Sequence, residues 1–417
     1  MTSFSGIYSS LTGLFSFSSA LNTISNDVAN LNTPGFKASD AYFRDLGPQE
    51  PNFGDLEPRD GEGSLGQGVE VAKVVRQFTQ GDIQSTGNAT DLAINGTGFF
   101  VLHRNGQYVY TRAGQFTFDD QGHLLDSVTG AFVQAIGADG KLSDLVVNRL
   151  QINPPVPTTA ATFTGNLSTG STTASVSSIN VVDASGASQT LSLAFTNNAI
   201  TSSNGTTTTT GVPGSWKVVV TDANGAQIAS GEIRFNGDGT PETGFNTLSF
   251  TLASKSGQTS TIDLNFGDPN TQTGTTSFSG GTSSTIALGT VDGTPLGKLT
   301  GITIDSAGLI QLTFSNGKTG TGQQLAIAGF ANPDELDEIG KALFAIPKDS
   351  SLQATYGKAS DSGNGTIQAQ SLELANVDLS AEFSKIIILQ RGYQGASQIL
   401  NVSSKLLEDL YNSVNGK

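Results

Sequence analysis

Cysteine is absent from this chain of 417 residues. Its absence excludes disulfides, thiolate nucleophiles and cysteine-ligated metal sites. No uninterrupted run of about 18 apolar residues occurs, so the sequence predicts no membrane-spanning helix. The N-terminus also lacks the basic segment and apolar core of a cleaved secretory signal. We therefore expect either a cytosolic protein or one that is exported by a route that reads no such signal.

Basic residues are scarce as well. The chain has 21 Lys and Arg against 36 Asp and Glu, which gives a formal net charge of −15. A nucleic-acid-binding surface needs a basic patch, so the composition argues against that function. A net negative charge instead keeps soluble copies of a protein apart. The length allows two to four domains.

Motifs that would indicate an enzyme are weak. The stretch GEGSLG at 61–66 spells a dinucleotide fingerprint, but its neighbours predict an extended loop rather than a strand and a helix. Asn316–Gly320 contains Gly-Lys-Thr, yet Leu312 stands where the phosphate-binding loop requires glycine. The two histidines, His103 and His123, lie in strand-rich sequence without a nucleophile nearby. We therefore expect no catalytic residue, no cofactor and no metal site.

Apolar residues recur at steps of three and four at both ends of the chain, which predicts amphipathic helices. The proposed seam is Ile7, Leu11, Leu14, Leu21, Ile24, Val28, Leu31, Leu379, Phe383, Ile386, Tyr393, Leu400, Leu407 and Leu410. We expect residues 1–31 and 372–417 to pair as a coiled-coil domain and to serve self-assembly through this seam. The alternative is two ordinary surface helices that dock on a globular core.

The sequence between the helices predicts mainly β structure. Residues 32–70 read as an extended connector, and 71–150 with 291–371 as an inner β-rich domain. Residues 151–290 are rich in Ser, Thr and Gly but alternate in polarity, which predicts an outer β-domain insertion. The predicted fold class is a multidomain protein in which mainly β shells, barrel-like or sandwich-like, are inserted between N- and C-terminal α-helices.

Three stretches resemble signatures of the bacterial flagellar rod and hook family. They are SNDVANLNTPGFK at 25–37, ATDLAINGTGFFVL at 89–102 and LELANVDLSAEFSKIIILQRGYQGASQIL at 372–400. The positions that carry the resemblance are Ala29, Asn30, Thr33, Gly35, Phe36, Lys37, Asp91, Leu92, Gly96, Gly98, Phe99, Phe100, Asn376, Val377, Asp378, Leu379, Gln390, Arg391, Tyr393 and Gln394. The chain departs from the family's pattern at Phe15 and Phe17, which are bulkier than expected, and at Gly392 and Gly395, which interrupt the last helix.

The resemblance implies a subunit of a self-assembling helical tube, with no insertion into a membrane. The long segment 151–290 favours the hook branch, whose curved tube acts as a universal joint passing torque from rod to filament. Implied partners are copies of itself, the rod and hook–filament junction proteins, the hook cap and the flagellar type III export apparatus. The implied location is the extracellular flagellum, reached without a cleaved signal peptide. Alternatives are a distal rod or hook-associated subunit, or a surface β-adhesin with coiled-coil termini.

Overall fold

The computed structural model of the chain describes residues 2–46, 68–147, 150–203, 206–209, 211–361, 363–414 and 416. Much of the predicted connector at 32–70, and the whole of the 61–66 motif, lie outside the described residues. The chain divides into two compact units. The first comprises Met1–Asn148, Ile302–Gln311 and Thr321–Lys417, and the second Arg149–Gly301 and Leu312–Gly320. The finer division into four parts that the sequence suggests remains a prediction.

The first unit contains both α-helices. Helix α1 spans Thr2–Ala29 and helix α2 spans Leu379–Val414. Helix α1 ends two residues before the predicted end, because the chain turns through Thr33 and Pro34 into Gly35, whose φ is +71°. A Cβ at Gly35 would lie 2.3 Å from the backbone nitrogen of Ala113, so only glycine fits there.

Helix α2 begins at Leu379, inside the predicted terminal helical domain at 372–417 and at the first residue of its predicted apolar stripe. Ser371–Glu373 is a β-strand, and the helix starts where the Asp378 carboxylate accepts hydrogen bonds from the backbone N–H groups of Ser380 and Ala381 at 2.9 and 3.2 Å. This is N-capping by a side chain that satisfies donors left free in the first turn. No helix in the described part of the chain combines the length and hydropathy needed to cross a membrane.

The strands of the described residues follow in chain order. The first ten belong to the first unit: β1 (Ser39–Asp45), β2 (Val69–Arg76), β3 (Ile83–Ser85), β4 (Leu92–Asn95), β5 (Phe99–Arg104), β6 (Gln107–Thr111), β7 (Phe116–Phe118), β8 (Leu124–Asp126), β9 (Phe132–Ile136) and β10 (Leu142–Asp144). The next twelve belong to the second unit: β11 (Ile152–Asn153), β12 (Ala160–Asn166), β13 (Thr173–Val182), β14 (Ser188–Asn197), β15 (Ile200–Ser203), β16 (Thr206–Thr209), β17 (Ser215–Thr221), β18 (Gln227–Arg234), β19 (Thr247–Ala253), β20 (Thr259–Asn265), β21 (Thr275–Thr276) and β22 (Ala287–Val291). The last nine are β23 (Gly297–Ile304), β24 (Leu309–Phe314), β25 (Thr319–Leu325), β26 (Ile327–Gly329), β27 (Asp337–Gly340), β28 (Leu343–Ala345), β29 (Thr355–Gly357), β30 (Thr366–Ala369) and β31 (Ser371–Glu373).

In the first unit the strand order β25–β9–β5–β6–β28–β27 forms the main sheet. Strands β5 and β6 are joined through Asn105 and Gly106, both with positive φ, as a two-residue hairpin turn requires. Phe99 packs edge-on against Phe78 and Phe344 at 5.4 and 5.8 Å between ring centroids, which builds the core of this sheet. Three two-stranded pairings complete the unit: β1 with β2, β3 with β31, and β4 with β30. The last two tie the C-terminal sequence to strands near residues 83–95.

The second unit has two main sheets that share one core. One sheet has the order β13–β14–β17–β18, and the other has β19–β20–β12–β21 with β22 paired to β12. Trp216, Phe195 and Phe266 are almost wholly buried between them. Apolar and polar residues alternate along β14 and β20, as a sheet with one buried face requires. The predicted fold class is confirmed: the chain is mainly β, with α-helices at its two ends.

Candidate assembly interface

Helices α1 and α2 pack against each other in antiparallel orientation. A Cβ at Gly6 would lie 3.7 Å from Ser403 Oγ, and one at Gly13 would lie 3.6 Å from Ala396 Cβ. Residue numbers therefore rise along one helix as they fall along the other. The two ends of the chain form one helix pair.

Small side chains line the buried side of α1. Ser10, Ser16 and Ala20 are each at most 5% exposed. The Ser10 hydroxyl donates to the Gly6 carbonyl at 2.7 Å, and the Ser16 hydroxyl donates to the Val69 carbonyl at 2.9 Å. Their buried oxygens are therefore satisfied, and their small size lets α2 and β2 approach closely. Small residues therefore line part of the buried side of α1, in addition to the large apolar residues that the sequence predicted.

The bulky Phe17 side chain on α1 lies directly against Gly392 on α2. A Cβ added at Gly392 would lie only 2.8–3.1 Å from three carbons of the Phe17 ring. The ring thus occupies the space that any larger residue on α2 would need. Gly395 has no such neighbour within 4 Å of its Cβ position. Of the two glycines that interrupt the helix pattern, only Gly392 has a packing reason within the described structure.

The apolar centre of the pair is Ala20, Ile24 and Leu389. Ile24 was predicted to lie in the seam, whereas Leu389 was missed because the predicted period placed Gln390 there. The buried side of α2 runs instead through Glu382, Ile386 and Leu389, about one residue ahead of the predicted stripe. A seam of three- and four-residue steps can be drawn in more than one register, and the sequence alone did not select between them.

The other predicted seam residues divide by exposure. Those that are partly buried are Ile7, Leu14, Leu21, Val28, Leu31, Ile386, Leu400 and Leu407. Those that are more than a third exposed are Leu11, Leu379, Phe383, Tyr393 and Leu410. The prediction is wrong for these five as members of a buried contact between the two helices. Their role in self-assembly stays a prediction.

A second apolar surface on α2 is exposed beside the contact with α1. Its members are 55–70% exposed and recur on one side of the helix: Ile388, Ile399, Val402, Leu406 and Leu410. We call this set the exposed α2 stripe. Isolated exposed apolar residues are ordinary, whereas large residues that recur along one side of a helix, as from Ile399 to Leu410, are typical of an interaction surface.

Beneath the helix pair lies a buried ion triad. Lys37 Nζ lies 2.6 Å from Glu373 Oε1, and Arg112 Nη1 lies 3.2 Å from Glu373 Oε2. The three side chains are at most 5% exposed. Burial lowers the pKa of Lys37 and of Arg112, and the Glu373 carboxylate opposes that change in both. Two further bonds reach the triad: Lys37 donates to the Thr79 carbonyl and the Gly81 N–H donates to Glu373, at 2.7 and 2.9 Å. The Arg112 Nε has no hydrogen-bond partner among the described residues.

The signature positions surround this triad. The Asn376 side chain accepts from the Ala38 N–H at 2.7 Å and donates to the Gln77 carbonyl at 2.7 Å, so it joins three chain segments. Phe36, Leu92, Phe99, Phe100 and Val377 are buried, Gly96 and Gly98 have positive φ, and Asp91 accepts from Thr86 at 2.7 Å. Near the end of α1, Thr33 donates to Asn30 at 3.1 Å, whereas Ala29 is exposed.

Sequence reasoning missed Arg112 and Glu373 as partners of Lys37. Each is a lone charge within a strand-rich or apolar stretch, which is the signal that could have found them. Four signature residues contribute nothing to this junction: Gln390, Arg391, Tyr393 and Gln394 are exposed on α2. Folding of a single chain does not explain them, whereas contact with another copy would.

A cluster of carboxylates lies between the helices and β1. Lys385 Nζ lies 2.6 Å from Asp40 Oδ1 and 2.8 Å from Glu382 Oε1. Asp27 is fully buried and accepts the Ser39 N–H at 2.9 Å. Burial raises the pKa of Asp27 to about 6, the Ser39 bond lowers it, and the nearby Glu382 carboxylate adds to the rise. One oxygen each of Asp27 and Glu382 has no hydrogen-bond partner among the described residues.

Three stretches of the chain match family models of flagellar proteins. The description "Flagella basal body rod protein" matches residues 7–37. "Flagellar hook protein FlgE/F/G D1 domain" matches 93–177, and "Flagellar basal body rod FlgEFG protein C-terminal" matches 368–413. The matches therefore include α1, most of α2 and the strands around the ion triad.

Whole-chain relatives agree. The flagellar hook protein FlgE of Borreliella burgdorferi is 29% identical, over 97% of this chain and 98% of its own length. The FlgE proteins of Treponema pallidum and Escherichia coli are 28% and 26% identical, each over 96% of this chain and 98% of their own length. Among solved structures, Helicobacter pylori FlgE2 is 15% identical with a TM-score of 0.44, over 70% of this chain and all of that one. Along nearly its whole length the chain is therefore similar to bacterial flagellar hook proteins.

Proposed function

We propose that this chain is the structural subunit of a bacterial flagellar hook, and that its copies assemble into a curved helical tube. The observation that carries the proposal is the exposed α2 stripe, whose large apolar side chains are each more than half exposed. In a tube built from many copies, this stripe would be covered in every subunit. About 25 cal/mol is gained for each Å² of apolar surface removed from water, and the gain recurs at each contact along the polymer.

The tube would act as a universal joint that passes torque from rod to filament. A bent tube must lengthen and shorten the spacing between its subunits once per rotation, so some contacts must hold while others re-form. We assign the contacts that persist during rotation to the apolar surfaces of the helices. The second unit, which we place on the outside as the insertion at 151–290, has surface loops rich in Ser, Thr and Gly. Polar, water-bridged contacts between such surfaces re-form without exposing apolar area.

Partners and location follow from this assignment. The partners would be further copies of the chain, the rod and hook–filament junction proteins, the hook cap and the export apparatus. The chain would be exported to the extracellular flagellum. We expect no catalytic activity, because support and torque transmission require none.

Two alternatives remain testable. A distal rod or hook-associated subunit would use the same helix pair but form a straight or capped assembly. A surface β-adhesin would use the β-units for ligand binding and would form no tube.

Negative-stain electron microscopy of the purified, concentrated chain tests the proposal. We expect hollow tubes, and curvature in them favours the hook over the rod. Ile399→Asp, which places a charge on the exposed α2 stripe, should prevent assembly while leaving the circular dichroism of the monomer unchanged. Gln398→Asp, at an exposed neighbouring position, is the matched control and should still form tubes. Discrete particles without tubes from the wild-type chain would refute the proposal.

A further inference from the structure

A pocket of about 300 Å³ lies in the first unit, next to one member of the buried ion triad. Its walls include Phe78, Gly98, Phe99, Arg112, Gly329 and Phe330. We call it the Arg112 pocket. Binding sites for small molecules start at about this volume, and most have apolar walls with a few polar groups. A cavity of about 150 Å³ holds a benzene molecule, so this pocket has room for a ring and a short polar group.

Three phenylalanine rings form the apolar walls of the Arg112 pocket. Phe78 and Phe330 both pack edge-on against Phe99, at 5.4 and 5.6 Å between ring centroids. Aromatic side chains prefer such edge-to-face contacts and offset stacking with other rings. The walls therefore favour a ligand with a flat, aromatic body.

Arg112 is the charged residue among the described residues that line the pocket. Its Cζ lies 5.4 Å from the centroid of the Phe99 ring, so the guanidinium borders the aromatic wall. Its Nη1 donates to Glu373 Oε2 at 3.2 Å, and its Nη2 donates to the Gly96 carbonyl at 2.8 Å. The buried Nε has no hydrogen-bond partner among the described residues. A buried donor without an acceptor is unfavourable, so an acceptor supplied by a ligand would stabilise this site.

The ion triad also carries an excess of positive charge. Lys37 and Arg112 are both cations, and among the described residues Glu373 is the carboxylate whose charge acts on both. All three side chains are at most 5% exposed, so water screens the excess charge poorly. A single negative charge beside Arg112 would balance the triad, whereas a doubly charged phosphate would overcompensate it.

We propose that the Arg112 pocket binds a small aromatic carboxylate, whose ring packs against the phenylalanines and whose carboxylate accepts hydrogen bonds from Arg112. The guanidinium presents its donors as a planar fork that matches the two oxygens of a carboxylate. Hydrogen bonds between charged groups are roughly twice as strong as those between neutral groups. The pocket is distinct from the exposed α2 stripe, so this inference does not depend on assembly into a tube.

Isothermal titration calorimetry of the monomeric full chain with phenylacetate tests the proposal. Phenylacetamide has the same ring and nearly the same size without the charge, and acetate has the charge without the ring. We expect phenylacetate to bind with a Kd below about 1 mM, and both comparison compounds to bind at least about tenfold more weakly. Absence of phenylacetate binding, or equal binding of phenylacetate and phenylacetamide, would overturn the proposal.

A pair of matched variants assigns the binding to Arg112. Arg112→Gln should bind phenylacetate no more tightly than phenylacetamide. Arg104→Gln removes an arginine from the same sheet, outside the pocket walls, and should keep the wild-type preference. Circular dichroism at 222 nm checks that both variants are folded. A folded Arg112→Gln that keeps the preference, or loss of the preference in both variants, would contradict the assignment. The comparison of the three compounds on the wild-type chain decides the proposal if Arg112→Gln does not fold.

The position of the ligand can be checked by its effect on stability. A ligand that binds only the folded state raises the stability of the unit that holds it. Saturating phenylacetate should therefore shift the urea transition of the first unit, followed at 222 nm, to higher urea. The transition of the second unit, followed by the fluorescence of Trp216, should stay in place. A shift of the Trp216 transition alone would place the ligand in the second unit and overturn the proposal.

Discussion

Lys37 and Glu373 form an ion pair of 2.6 Å in which both side chains are wholly buried, although 336 positions separate them in the chain. Lys37 follows the first helix and Glu373 precedes the second. The pair therefore connects the two ends of the chain beneath the helices. Breaking a buried ion pair by removing one partner is costly, because the other charge is left without compensation.

Glu373 should be the most sensitive member of the triad. Glu373→Gln leaves the two buried cations, Lys37 and Arg112, without a carboxylate, whereas Lys37→Gln leaves Glu373 paired with Arg112. We expect Glu373→Gln to lower the free energy of unfolding of the first unit by about 3–5 kcal/mol, and Lys37→Gln by less. Lys141→Gln, whose side chain is 84% exposed, is the control.

Urea denaturation can assign this loss to one unit. The only tryptophan, Trp216, lies in the second unit, so its fluorescence reports that unit, while circular dichroism at 222 nm reports the helices of the first. Glu373→Gln should shift the helical transition and leave the Trp216 transition in place. If Glu373→Gln and Lys37→Gln lowered the free energy of unfolding equally, the idea that Glu373 compensates both Lys37 and Arg112 would be contradicted.

The helix pair should become more stable as the pH falls from 7 to 5. Burial raises the pKa of Asp27 from its ordinary value of 3.8 to about 6 in the folded chain, so between these values the folded state binds a proton that the unfolded state does not. Stability is therefore lower above pH 6 and rises as Asp27 is protonated, by about 1 kcal/mol over this range. The groups near Asp27 are Glu382, Lys385 and Asp40.

Asp27→Asn tests this assignment, because the amide keeps the size of the side chain and removes its titration. Urea titrations followed at 222 nm at pH 5, 6 and 7 should show a flatter pH dependence of helix stability in Asp27→Asn than in the wild type. A wild-type helix pair that loses stability steadily from pH 7 to pH 5 would show that Asp27 does not take up this proton.

The two glycines of α2 should respond oppositely to alanine. Gly395→Ala should stabilise the helix by about 1 kcal/mol, since alanine favours a helix and nothing lies within 4 Å of the new Cβ. Gly392→Ala brings the same helix preference but places its Cβ 2.8 Å from the Phe17 ring, so we expect a net loss. Thermal unfolding followed at 222 nm measures both.

A double variant separates the clash from other effects. Phe17→Leu should be destabilising alone, yet Gly392→Ala should cost less in its presence than in the wild type. The difference is the coupling energy between the two positions. Additive effects would mean that Phe17 is not the reason for glycine at 392.

The sequence predicted the kinds of elements well but not their contacts. Helix α1 and the mainly β middle could be predicted because turn chemistry and apolar spacing are local properties. The register of α2 could not, because Phe383, Ile386 and Leu389 fit more than one seam until α1 is in place. The same limit applies to Lys37, whose partners Arg112 and Glu373 are distant in the chain and meet only when the strands have paired.

Ile24 offers the clearest separation of folding from assembly. It is 5% exposed and packs with Ala20 and Leu389, so Ile24→Asp buries a carboxylate without a partner inside the helix pair. An uncompensated buried charge costs several kcal/mol, and we expect loss of helical signal in the monomer as well as loss of tubes.

Ile24→Leu keeps the volume and apolar character of the site and should retain both the helical signal and the tubes. Ser25→Asp, one residue away and exposed, introduces the same charge without burial and should also retain the monomer's helices. Circular dichroism of the monomers, beside sedimentation of their assemblies, distinguishes these outcomes. If Ile24→Asp abolished tubes but left the monomer's helical transition unchanged, α1 and α2 would pair only within the assembled tube, and the helix pair would be a product of assembly rather than of folding.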